Sequence, residues 1–189
     1  MDLLRRRRMM MLRQGGGGIY DSKIAYLQTG QELLNAISTG YQANNTDTFV
    51  LELDIDLKMS SGYQGANGNL QMNMGEVTTG RHTVRVERIP DKGPMLYVDG
   101  TLVRTDYFTQ FNLYYICIFA LGNHPDDESS VGHYVKQSVY SAWLTINGVL
   151  VRDYIPVRVG QVGYLYDKVS DALSGDLHGR TFTLGPDIV

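Results

Sequence analysis

From Thr48 onward the chain alternates apolar and polar residues. Between Thr48 and Lys58, Phe49, Leu51, Leu53, Ile55 and Leu57 share one parity, and Val50, Glu52, Asp54, Asp56 and Lys58 share the other. A period of two places successive side chains on opposite faces of a strand. Arg81 to Arg88 repeats the pattern, with His82, Val84 and Val86 set against Thr83, Arg85 and Glu87. Met95 to Val98 and Thr101 to Arg104 flank Asp99-Gly100, and Trp143 to Ile146 and Val149 to Pro156 flank Asn147-Gly148. Both dipeptides tolerate the positive φ angles of two-residue turns, so the spacing predicts two β-hairpins. Tyr114 to Leu121 is a continuous apolar run that predicts a buried strand, with Cys117 as a small core residue. Ile24 to Leu27 is expected to open the sheet.

No segment holds a helical period for ten residues, and Gln31 to Ser38 offers at most one or two turns. Folds that need long helices are therefore excluded. With 189 residues the chain is long enough to bury one substantial core. Its 21 glycines, 5 prolines and 13 tyrosines suit short strands joined by turns, with amphipathic rings on partly wet surfaces. The expectation is an all-β sandwich of two antiparallel sheets over residues 19–189. The single cysteine forms no disulfide within the chain, so an oxidising compartment is not required.

Charge separates the first 18 residues from the rest. Arg5, Arg6, Arg7, Arg8 and Arg13 outweigh Asp2 to give +4 there, so the remainder carries −7 within a total of −3. Met9, Met10, Met11 and Leu12 form an apolar stretch of four residues. A secretory apolar region needs ~7–15 and a bilayer span ~20, so neither a secretion signal nor a membrane segment is expected. Gly15 to Gly18 then form a flexible joint. Residues 1–18 read as a basic arm in which Arg5–Arg8 grip carboxylates or phosphates and Met9–Leu12 supply an adaptable apolar plug. The alternative is a disordered basic tail. Nucleic acid is the weaker partner, because no basic and aromatic track continues into the body.

Several motifs resemble those of concanavalin A-like, laminin-G-like jelly-roll domains of tailed-phage virion proteins and bacterial surface proteins. Leu150-Val151-Arg152-Asp153-Tyr154-Ile155-Pro156, Gly163-Tyr164-Leu165-Tyr166-Asp167 and Thr181-Phe182-Thr183 resemble the closing strands of that family. Ala25 to Leu57 is similar to its opening segment, and Arg81-His82-Thr83-Val84 with Leu96-Tyr97-Val98-Asp99-Gly100 is similar to its centre. Gln31 to Ala36 departs from the usual pattern, and the Gly160 loop and Ala172 to Leu177 are less regular. The resemblance implies a two-sheet antiparallel jelly roll, a virion or cell-surface setting, carbohydrate binding, and calcium at one rim.

Glu52, Asp54 and Asp56 lie on one strand face and resemble the catalytic strand of jelly-roll glucanases, but the last position is Asp rather than Glu. At ~3.3 Å per residue, Glu52 and Asp56 would stand ~13 Å apart, beyond the ~5–5.5 Å or ~6.5–9.5 Å that glycosidases use. Neighbours two apart would stand ~6.6 Å apart, a spacing that geometry does not exclude. A hydrated sheet face is the simpler reading. Asn123, Asp126, Asp127 and Glu128 offer hard oxygen ligands for Ca²⁺ at a loop, the alternative being a solvated acidic turn. His82, His124, His133 and His178 are scattered without zinc spacing. No serine elbow or phosphate loop occurs. Tyr63, Gln64, Asn67 and Asn69, in a polar Gly-rich loop, are the candidate glycan contacts.

The expected function is therefore a non-enzymatic structural or adhesion protein of a tailed-phage virion. It would be assembled in the host cytoplasm in multiple copies, tethered to other virion proteins by its arm, and would need no cofactor unless calcium binds. The alternatives are a carbohydrate-binding module of a bacterial cell-surface system and a glycoside hydrolase.

Overall fold

The computed structural model describes residues 18–30, 35–42, 46–59, 63–66, 70–73, 77–105, 115–120 and 134–189, with 63–66 and 70–73 described as backbone. Every regular element among them is a strand. In chain order these are β1 (Ser22–Lys23), β2 (Leu27–Gln28), β3 (Ile37–Gln42), β4 (Phe49–Leu57), β5 (Tyr63–Ala66), β6 (Leu70–Asn73), β7 (Gly80–Ile89) and β8 (Gly93–Val98). The remainder are β9 (Thr101–Thr105), β10 (Tyr115–Ile118), β11 (Gln137–Ile146), β12 (Val149–Val159), β13 (Val162–Asp167), β14 (Ala172–Ser174) and β15 (Thr183–Leu184).

All pairings are antiparallel, and they build two sheets. The larger runs β14-β13-β12-β11-β4-β7-β8-β9, with β1 attached to β12, β2 to β11 and β15 to β2, and the smaller runs β3-β10-β5-β6. Phe49, Leu51, Leu53, Ile55 and Leu57 of β4 are all buried, as their parity requires. Full burial of side chains of this size is worth ~1.5–3 kcal/mol each. They share one core cluster with Ile37, Ile116 and Ile118 of the smaller sheet, so a single apolar interior joins both sheets. Arg152 adds a polar tie, its Nε donating to the Thr39 carbonyl of β3 at 2.8 Å.

The turn chemistry follows the dipeptides. Asn147 and Gly148 adopt φ of 50° and 78°, and Asp99 and Gly100 adopt 49° and 78°, the positive angles that match a two-residue turn to strand twist. The Gly160 loop is tighter than its sequence suggests. Val159 pairs with Val162 across only Gly160 and Gln161, and Gly160 at φ 58° takes the first turn position where glycine is favoured.

One strand is added to the expectation and one is divided. Of Gln31 to Ser38, Gln31 to Leu34 lie outside the described residues, while Ile37 and Ser38 open β3, which pairs with β10 and buries Ile37 and Thr39 on one parity. Ile24 to Leu27 is not one continuous strand. The segment pairs first with β12 through Ser22 and Lys23, bridges Ile24 to Asp187, and then pairs with β11 through Leu27 and Gln28. Its other edge holds the C-terminal segment, with Leu27 opposite Leu184. Tertiary pairing with two different strands thus divides a run that looks uniform in sequence.

Candidate functional site: the open face of the larger sheet

Antiparallel pairing aligns the outward residues of β8, β7, β4, β11 and β12 in one cross-strand row. Tyr97 stands opposite Arg85, Arg85 opposite Glu52, Glu52 opposite Trp143, and Trp143 opposite Asp153. Strands ~4.8 Å apart put Trp143 and Tyr97 ~14 Å from each other. Both rings are half-buried, as are Glu52, Arg85 and Asp153. A second aromatic group lies farther along. Tyr140 falls where the β11–β4 register shifts between Val139 and Ser141, and a bulge of this kind re-aims a side chain. Its ring meets Tyr26 edge-on at 5.5 Å and carries the Arg81 guanidinium 3.9 Å above its centre.

The acidic strand is largely neutralised. Arg81 grips both oxygens of Asp54 from Nε at 3.0 Å and Nη2 at 2.9 Å. That bond is the main reason its own pKa lies above the ordinary arginine value. Lys58 pairs with Asp56, Arg85 with Glu87 at 3.0 Å, and Lys168 with Asp153 at 2.7 Å. Among the described residues Glu52 has no ion pair. An acid–base pair for glycosidic cleavage needs one carboxyl to protonate and a second to stay free, whereas here Asp54 and Asp56 are each committed to a cation. The face instead presents rings for stacking, with hydrogen-bonding groups between them.

Most of the residues singled out from sequence are not among those the structure describes. Arg5, Arg6, Arg7, Arg8, Met9, Met10, Met11 and Leu12 lie outside the described residues, as do Asn67, Asn69, Asn123, Asp126, Asp127 and Glu128. Tyr63 and Gln64 belong to β5, where the backbone alone is described. Among the described residues no three His, Cys, Asp or Glu side chains converge as metal ligands. From sequence Trp143 was one of several rings available for stacking on a sugar, and Tyr97 was legible only as a strand residue. Their shared row depends on the β11–β4–β7–β8 register, although outward parity next to Glu52 was the available signal. Comparison with protein-family models, curated proteins and solved structures finds no match for the chain.

Proposed function

We propose that the chain is a structural and adhesion protein of a tailed-phage virion: a jelly-roll module tethered by Arg5–Leu12 to a larger assembly, with a glycan-binding face and no part in glycoside hydrolysis. The observation that carries this reading is the cross-strand row Tyr97, Arg85, Glu52, Trp143 and Asp153. Two rings at ~14 Å suit stacking against sugars near the two ends of one short oligosaccharide rather than against neighbouring ones. Between them Glu52 accepts hydroxyl protons and Arg85 donates to ring or acetamide oxygens. The virion setting and the jelly-roll topology rest on the motif resemblance, and the tether on the charge division between arm and body.

Trp143 is the only tryptophan, so its fluorescence reports on this face alone. Titration with chitotetraose, cellotetraose and maltotetraose is expected to give a saturable change with at least one sugar, which Glu52→Gln weakens and Tyr97→Ala abolishes. Absence of any change at millimolar sugar would remove the glycan role. For the tether, purified particles are expected to contain the intact chain and to lack a variant deleted for residues 2–14. Incorporation of that variant at native copy number would overturn it.

A further inference from the structure

At one rim of the larger sheet three side chains form a hydrogen-bonded chain that the adhesion reading does not use. Thr78 Oγ1 lies 3.1 Å from His82 Nε2, and His82 Nδ1 lies 2.7 Å from Asp99 Oδ2. The other Asp99 oxygen accepts the Thr83 backbone N–H at 2.9 Å. Four residues of regular strand would separate Thr78 from His82 by ~13 Å. The chain leading into β7 is therefore bent rather than extended, with bends at Val77 and Thr79, and Gly80 beside them adopts φ 122°, an angle that side-chain-bearing residues rarely adopt. Thr78 is exposed, while the His82 side chain retains 16% of its accessible surface.

We propose that Thr78, His82 and Asp99 form a second, hydrolytic site, with Thr78 as nucleophile, His82 as general base and Asp99 as the positioning residue, acting on small acyl esters. A carboxylate only accepts, so in neutral His82 the Nδ1–H points to Asp99 and the Nε2 lone pair faces the Thr78 hydroxyl. Asp99 is held below the usual carboxylate range, first by His82 and then by the Thr83 N–H, which keeps it an acceptor. Thr78 Oγ1 bonds to the acyl carbon as its proton moves to Nε2. The ester C–O bond breaks, and the departing alcohol takes that proton. Water then attacks acyl-Thr78, giving a proton to Nε2, and the returned proton regenerates the Thr78 hydroxyl as the carboxylic acid leaves. The methyl group beside the Thr78 hydroxyl crowds its approach, so acetyl esters fit best.

The test uses the full chain with p-nitrophenyl acetate as substrate and diisopropyl fluorophosphate as trap, with circular dichroism checking the fold of each variant. Peptide mapping is expected to find the phosphoryl group on Thr78, with labelling kept in Thr78→Ser and lost in Thr78→Val. His82→Gln is expected to slow turnover by about 100-fold or more. Asp99→Asn should lower kcat while leaving KM near its native value. An unlabelled Thr78 in the folded native chain, or a Thr78→Val variant that hydrolyses the ester at the native rate, would reduce the trio to a pin for the β8–β9 turn. Particle incorporation of Thr78→Val separates failure here from failure of the adhesion reading, since that variant keeps both the arm and the Trp143 face.

Discussion

Asn147 Nδ2 donates to Asp47 Oδ1 at 2.8 Å, joining the β11–β12 turn to the segment that leads into β4. The Asn147 side-chain oxygen accepts the Thr48 backbone N–H at 2.9 Å, while the Asn147 backbone N–H donates to the Thr48 carbonyl at 2.7 Å. Asp47 is buried, and its second carboxylate oxygen takes the Tyr41 hydroxyl at 2.8 Å. The turn residue that closes a hairpin locally is therefore also the partner of a buried carboxylate.

Asn147→Asp retains a residue that tolerates the turn but sets a second carboxylate against Asp47. The expected cost is about 1–3 kcal/mol at neutral pH, from a lost donor and a buried acceptor left unsatisfied. Urea unfolding of the two proteins at pH 7 measures it, and equal midpoints would show that Asp47 does not depend on this donor.

Gly163 faces the paired terminal strands. A Cβ there would come within 2.3 Å of Leu27 Cδ1 and 2.5 Å of Leu184 Cδ2. Leu27 is fully buried and Leu184 packs against the core, so Gly163→Ala is expected to destabilise by about 1–3 kcal/mol through overpacking. Thermal unfolding checks this. A companion Leu184→Ala change should recover part of the loss by clearing one of the two contacts.

Arg158 grips Asp187 through two bonds of 2.8 Å, and Ser22 donates to the same carboxylate. The Arg158 bond, followed by that from Ser22, holds the Asp187 carboxyl down at about 2. Because the folded value is depressed below the ordinary ~3.9, this latch contributes fully above pH ~3.9 and is lost as pH falls through about 2. Asp187→Asn should flatten the stability profile across that window. Identical acid limbs in native and variant protein would show that the latch does not couple to folding.

Tyr41 gives the opposite limb. Burial, then its bond to Asp47, pushes the phenol up to about 12. A raised value favours the neutral form in the folded chain, so its contribution is present below pH ~10 and is lost as pH rises through about 12. Tyr41→Phe is expected to unfold less steeply with pH across that range. The change is read by denaturation at fixed urea.

What the amino-acid sequence determined by itself was local. The alternation from Phe49 to Leu57 dictated which side of β4 is buried, since one pleat sends every second side chain inward. Asp99-Gly100 and Asn147-Gly148 dictated two turns, since few other residues accept those φ angles. The pairing of strands distant in sequence was decided only by the tertiary structure. Arg81 meets Asp54 because β7 lies beside β4 in one particular register, and a one-residue slip would send the two to opposite faces. Ile24 to Leu27 divides between β12 and β11 because its hydrogen bonds are completed by strands more than a hundred residues away. Thr78, His82 and Asp99 follow the same rule. The bend leading into β7 and the β8–β9 turn each arise from their own residues, but the line from hydroxyl to imidazole to carboxylate exists only once β7 and β8 pair.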